Sequence, residues 1–301
     1  MRKKLILIIF GVVLLAIVVG IPTVYFVYKA NRPKPAPVAL EPDKKITIIE
    51  GWSNAEIQKY LERQLGITSV QFKDANQLFS SDDYSFLSSK PAKASLEGFL
   101  FPDTYLVLPD SSAEEVFAKM LQNFATKLGK AQGSLQPNGS GWFVIEGFSG
   151  LTVNGKLGIS LYELITLASI VERETGRDVS AGNQDSQARL DAERKVVAGI
   201  FYNRLLIGQA LQSDATVNYA TGKSEAAPSI TDTRIPSLYN TYLHAGLPPG
   251  PIANPSLSSL IAVFSPVKTE YYYFLHKQPS GEVVYSKTFA EHSINKQKFL
   301  K

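Results

Sequence analysis

The stretch from Ile159 to Gly176 leaves this chain little choice of fold. It reads as a helix with marked ends. Ser160 caps the first turn, Glu163 stands at capping-box spacing, and Gly176 is a natural stop. Between those ends Leu161, Leu164, Ile165, Leu167, Ala168, Ile170 and Val171 cover nearly the whole circumference. A helix apolar all round has to be buried, so the rest of the chain must wrap it. Near its end it carries Glu172. A carboxylate on a buried helix is either paired or raised in pKa. A raised glutamate is what an acid–base catalyst near neutral pH requires.

The residues three and four away from Glu172 are Ala168, Ser169, Thr175 and Gly176, all small. Such neighbours leave a notch open to a ligand. The same pattern equally fits a helix-end carboxylate paired with an arginine elsewhere in the fold, and periodicity leaves both readings open. Glu174 points about 200° around the helix from Glu172. With Arg177 at i+3 it reads as half of a solvated ion pair.

Residues 5–28 are an uncharged run rich in Leu, Ile and Val, long enough to span a bilayer. The run is too long for a signal-peptide core, and no small-x-small cleavage site follows it. Arg2, Lys3 and Lys4 favour a cytoplasmic N-terminus (residues 1–4), although Lys29, Arg32 and Lys34 on the other flank weaken the asymmetry. The expectation is a single-pass transmembrane helix in the cell membrane with the bulk of the chain on the extracytoplasmic side. Residues 29–44, rich in Pro and Lys, read as a stiff spacer. Six of the 31 Lys and Arg residues fall in residues 1–34, which leaves 25 basic against 27 acidic residues, a balance of about −2. The basic character is therefore confined to the N-terminus, and nothing points to nucleic acid.

The chain has no cysteine, which excludes disulfides and thiolate metal sites. Its three histidines, His244, His276 and His292, lack metal-ligand spacing. There is no P-loop, dinucleotide fingerprint or G-x-S-x-G elbow. No metal and no cofactor are expected.

The remaining pattern is mixed. Lys45–Glu50 reads as a strand, and Ser53 with Glu56 opens a helix to about Leu65. A second short helix covers Val70 to Phe79. This small unit suits a binding module or a packing subdomain alike. Residues 96–106 read as a strand running into a turn, and Ser112 with Glu115 starts an amphipathic helix to about Leu128. Residues 142–157 have β character with a hairpin turn at Asn154-Gly155. After a polar loop over 177–187, a long helix runs from about Ala188 to Ile207. A short helix near 256–264, a hairpin over 271–286 and a helix from Phe289 complete the chain.

Three polar segments stand out between those elements. Gln212, Ser213, Asp214 and Thr216 form one, Tyr239, Asn240 and Tyr242 the second, and Asn254 belongs to a rigid Pro/Gly run. Tyrosine faces stack on sugar rings, and amides match hydroxyls as donor and acceptor, so these are candidate substrate-binding residues for a neutral polar polymer. Turn chemistry accounts for the Pro and Gly, though not for the clustered Tyr, Asn and Thr. Asp214 is the best second carboxylate if a two-carboxylate glycosidase is at work.

The segments Leu96-Glu-Gly-Phe-Leu-Phe-Pro-Asp-Thr-Tyr105, Leu167-Ala-Ser-Ile-Val-Glu-Arg-Glu-Thr175, Leu211-Gln-Ser-Asp214, Tyr239-Asn-Thr-Tyr242, Gly246-Leu-Pro-Pro-Gly250 and Glu291-His292 occur in that order. In this the chain resembles the endolytic murein transglycosylases, the MltG or YceG-like family, over roughly residues 45–300. The resemblance implies an α+β protein: a transmembrane helix, a small LysM-like βαα module (45–95), and a mixed α/β catalytic domain (96–301) built on the buried helix. It implies a lytic transglycosylase that cuts peptidoglycan glycan strands outside the membrane, with peptidoglycan synthases as candidate partners. The first glutamate of the Glu-x-Glu pair, Glu172, is expected to be the catalytic acid and base. Gln212, Ser213, Asp214, Asn240 and Tyr242 are expected in the cleft. Two features depart from the family pattern: a longer 177–190 segment, and Ala215 where proline is common. A muramidase-type hydrolase using Glu172 and Asp214, and a non-catalytic wall-binding scaffold, are the alternatives.

Overall fold

A computed structural model of the chain describes residues 43–300, apart from residues 134, 140, 154, 177–183 and 224–227. The expected transmembrane helix lies outside these residues, and among the described ones no helix is long and apolar enough to cross a membrane. Asp43–Lys301 forms one compact unit.

Strand β1 (Lys44–Thr47) and helices α1 (Asn54–Leu65) and α2 (Ser69–Leu78) follow the expected strand–helix–helix order. Both helices begin with complete capping boxes, Ser53 with Glu56 and Thr68 with Gln71. The partner of β1 is β2 (Thr104–Val107), antiparallel, with Lys44 opposite Val107 and Thr47 opposite Thr104. A module boundary at residue 95 therefore cuts through a sheet, because the strand that completes the unit lies beyond it.

Residues 96–103 are not the strand expected there. Leu96, Phe99, Leu100 and Phe101 all turn inward, and Pro102 has no N–H for a ladder. Gly98 sits at φ +88, and a Cβ there would lie 2.7 Å from Pro251 and 2.8 Å from Ile165. Only glycine lets this segment lie so close to the central helix.

Helix α3 (Ala113–Gln132) precedes four short strands: β3 (Trp142–Phe143), β4 (Thr152–Val153), β5 (Lys156–Leu157) and β6 (Ile159–Ser160). β4 and β5 form the hairpin expected at 154–155, and β3 pairs with β6. Helix α4 (Leu161–Thr175) is the expected buried helix, with Ser160 and Glu163 closing its capping box. It packs against α5 (Gln184–Leu206), α6 (Asp214–Thr221) and α7 (Leu257–Phe264). α7 also packs on α3 and α5. Leu164, Ile165, Leu167, Ala168, Ile170 and Val171 are fully enclosed. The hairpin of β7 (Tyr273–His276) and β8 (Val283–Ser286) and the helix α8 (Phe289–Phe299) complete the fold.

A buried polar hub joins the β1–α1 turn to this helical layer. Glu97 accepts from the Asn54 N–H at 2.9 Å and from Tyr219 Oη at 3.3 Å. Asn254 donates to Glu97, Asn54 Oδ1 and the Trp52 carbonyl, and its Oδ1 accepts from the Leu100 N–H at 2.9 Å. Asn254 is fully enclosed, so it holds loops together and does not face a ligand. Burial pushes the Glu97 carboxyl up to about 8.

Candidate active-site cleft

The notch expected beside Glu172 is filled. Glu172 is 3 % exposed, and the small residues around it let other parts of the chain pack closely. The Ser169 hydroxyl accepts from the Ile252 N–H at 3.0 Å. Glu172 Oε1 takes a hydrogen bond from Arg194 of α5 at 2.9 Å. Glu172 Oε2 accepts from the Ser256 N–H at 3.0 Å, the Ser256 hydroxyl at 2.6 Å and the Ser259 hydroxyl at 2.8 Å. Ser256 is the N-cap of α7, where the helix dipole also favours an anion. Three donors and a buried guanidinium make Glu172 the tie between α4, α5 and α7. This is the arginine-paired alternative, and it corrects the expectation of an open catalytic notch.

Glu174 occupies the other side of α4, where a cleft of about 650 Å³ opens. The expected partner Arg177 lies outside the described residues. In the structure Glu174 Oε1 accepts from the Ser213 hydroxyl, and from the Ala215 N–H at 3.3 Å. It therefore sits at the N-terminus of α6. Burial pushes its carboxyl above the ordinary glutamate range, and the Asp214 charge adds to this. The Ser213 and Ala215 hydrogen bonds and the His276 charge pull the other way.

Of the expected substrate-binding residues, Gln212, Ser213, Asp214 and Tyr242 line this cleft with Glu174. Gln212 adopts φ +48, a strained setting for a non-glycine residue. Its neighbours hold it there: the Gln212 N–H donates to the Thr241 carbonyl at 3.0 Å, and Arg204 donates to the Leu211 carbonyl at 2.5 Å. The Tyr242 hydroxyl donates to Asp214 Oδ1 at 2.5 Å.

Three other candidates support the cleft from behind or lie elsewhere. Thr216 is enclosed, and its hydroxyl meets that of Thr241 at 2.8 Å. Asn240 is enclosed too; its side chain accepts from the Tyr242 N–H and donates to the Thr233 and Ile235 carbonyls, each at 3.0 Å. It aims Tyr242 without meeting a ligand. Tyr239 packs on Tyr219 with ring centroids 4.9 Å apart, away from the cleft lining.

The sequence reading also missed residues that the fold brings in. Arg173, Tyr273, His276 and His292 line the same cleft. His276 contacts Glu193 at 2.7 Å, which holds its imidazole above the ordinary histidine range. For Glu174 the available signal was the short spacing of two carboxylates on one helix, which puts them on opposite faces. His292 stood out only as part of the Glu291-His292 segment with no role attached, and for His276 no local signal existed, since the chain reversal at β7 brings it in.

A larger hollow of about 950 Å³ lies toward the other end of α4, lined by Trp142, Tyr162, Glu163 and His244. Its carboxylate, Glu163, is committed to capping α4, so size alone does not make it the reactive site. Among the described residues no cluster of three His, Cys, Asp or Glu side chains could hold a metal ion.

Comparison with known proteins agrees with this architecture. The model of the YceG-like family matches residues 25–298. The chain is 33% identical over 267 residues to the endolytic murein transglycosylase of Bacillus subtilis (strain 168), covering 85% of this chain and 65% of that protein. It is 32% identical over 221 residues to the protein of the same name from Streptococcus pneumoniae serotype 2 (strain D39 / NCTC 7466), covering 70% of this chain and 34% of that one. The chain thus spans just under two thirds of the first relative and about one third of the second. A crystal structure of a YceG-like protein from Listeria monocytogenes aligns with a TM-score of 0.58 at 28% identity, over 83% of this chain and 75% of that one. With a family match over nearly all the described residues and a relative 33% identical over 85% of the chain, this chain belongs to the YceG-like family.

Proposed function

We propose that this protein is an endolytic peptidoglycan lytic transglycosylase and that Glu174, rather than Glu172, is its acid and base. The observation that carries the reading is a partly enclosed carboxyl with a raised pKa in a polar, aromatic-lined cleft. The curated relatives named endolytic murein transglycosylases support the substrate class. In the reaction, protonated Glu174 donates to the glycosidic oxygen between MurNAc and GlcNAc. As carboxylate it then takes the proton from the MurNAc C6 hydroxyl, which attacks C1 and closes a 1,6-anhydro ring. No water is consumed. The Ser213 hydroxyl orients the carboxyl, and burial, with the Asp214 charge added, raises its pKa above the ordinary glutamate range.

Residues 5–28 would anchor the enzyme in the membrane, with the cleft outside and close to newly made strands. The β1–α1–α2–β2 order with its antiparallel pair supports reading the N-terminal unit as LysM-like. A second reading rests on Asp214, which shares the cleft with Glu174. The two could act as a hydrolytic pair. Mass spectrometry of digested peptidoglycan separates the readings, since anhydro ends are one water lighter than reducing ends. Reducing ends from the purified protein would overturn the lytic reaction, and no cleavage at all would leave a binding scaffold.

A further inference from the structure

The reaction above leaves one part of the cleft unused. Its cationic lining comes from Arg173, Arg204, His276 and Lys296, beside the imidazole of His292. Three of the cations are committed. Arg173 donates to the Gly51 carbonyl at 3.1 Å, Arg204 donates to the carbonyls of Tyr272 and Leu211, and His276 is paired with Glu193. Lys296 on α8 takes part in no ion pair among the described residues.

His292 lies one turn earlier on the same face of α8. Its ring stacks on Tyr273 with centroids 5.2 Å apart, and the Arg204 guanidinium lies 5.0 Å from the same tyrosine ring. Among the described residues its enclosed Nδ1 has no hydrogen-bond partner. Burial and the nearby charges of Lys296 and Arg204 hold the imidazole below the ordinary histidine range. Gln278 lines the cleft too, and its backbone N–H donates to the Phe299 carbonyl at 3.1 Å, which seats it against the end of α8. An exposed ammonium, an imidazole and an exposed amide thus line one side of the cleft, and among the described residues none of the three is in an ion pair with an acidic side chain, a lining suited to a carboxylate.

We propose that Lys296, with His292 and Gln278, forms a subsite for a carboxylate carried by the glycan's muramyl residue, so that the enzyme reads the anionic substituent as well as the sugar. The proposal rests on the peptidoglycan reading above. The carboxylate belongs either to the peptide stem or, on a stripped strand, to the lactyl group itself.

The test is steady-state cleavage of stem-bearing strands and of amidase-stripped strands by the full chain. Lys296→Glu is expected to raise KM about tenfold with kcat within about twofold, and Lys296→Arg to stay within about threefold of the parent. Lys298→Glu, on the same helix but outside the cleft lining, controls for bulk charge and should leave KM unchanged. A KM rise confined to stem-bearing strands assigns the carboxylate to the peptide, a rise confined to stripped strands assigns it to the lactyl group, and a rise on both shows that the subsite takes either carboxylate. An unchanged KM for Lys296→Glu on both substrates overturns the subsite, as does an equal rise for Lys298→Glu. A parent protein that cleaves neither substrate overturns the functional reading and the subsite with it.

Discussion

Arg194 donates to Glu172 at 2.9 Å with both side chains sealed from solvent, whereas Glu174, two residues on, faces the cleft and accepts from Ser213. The two glutamates share a helix and a sequence motif but not an environment. Four hydrogen bonds, one of them from the Arg194 guanidinium, leave Glu172 no room to meet a substrate. Glu174 has fewer partners, a neighbouring negative charge and an open side.

Two substitutions separate these roles. Glu172→Gln leaves the Arg194 guanidinium buried without its counter-charge and is expected to cost about 3–5 kcal/mol. The measurement is the denaturation midpoint, which should fall well below that of the parent. Glu174→Gln should fold as the parent does and lose about 10²–10⁴ in turnover. If Glu174→Gln cuts glycan at the parental rate, the assignment is wrong.

The pH profile follows from the raised pKa of Glu174. In the proposed reaction the acid form is the active one, so kcat/KM is expected to fall as pH rises through that pKa, above the ordinary carboxylate range. Asp214→Asn removes the like charge, which lowers the Glu174 pKa and moves the descending limb to lower pH. Ser213→Ala removes a hydrogen bond that favours the carboxylate, and so moves the limb to higher pH. Profiles that shift together, or not at all, would contradict this electrostatic account.

Glu97 makes stability depend on pH in a defined direction. Its folded-state pKa of about 8 lies above the ordinary value of 4.5, because burial penalises the charge. The folded state therefore holds the proton more tightly than the unfolded one. That contribution is fully present below about pH 4.5 and is lost as pH rises through about 8. Glu97→Gln keeps the shape and removes the titration. Its unfolding free energy should overtake that of the parent by a few kcal/mol between pH 5 and 8. Chemical denaturation at a series of pH values measures the difference.

Asn254→Ala tests the assignment of this residue to the framework. It removes the donor to Trp52, Asn54 and Glu97 and the acceptor for the Leu100 N–H. Leaving those buried groups unmatched is expected to cost about 2–4 kcal/mol, with KM unchanged in the protein that remains folded. A raised KM without loss of stability would return Asn254 to the substrate face.

Helix ends were legible in the sequence because capping is a local rule. Ser53, Ser112 and Ser160, read as caps, all close capping boxes on the residue three places on, and Thr68, unmarked in the sequence reading, does the same for α2. The burial of α4 was also legible, since an all-round apolar stripe admits no exposed face. Gln212, Ser213, Asp214 and Tyr242 were found in sequence as a polar cluster and do meet in the cleft. Which glutamate faces that cleft was not legible. Small residues beside a carboxylate admit a ligand or a packed helix equally well. Only the arrival of Arg194 and Ser256, 22 and 84 residues away along the chain, decides that Glu172 is enclosed. The same holds for Asn254, whose partners lie up to 202 residues distant, and for the α8 side of the cleft. Local spacing determines where helices begin and which are buried. Partners contributed by distant elements determine which carboxylate is enclosed and which faces the cleft.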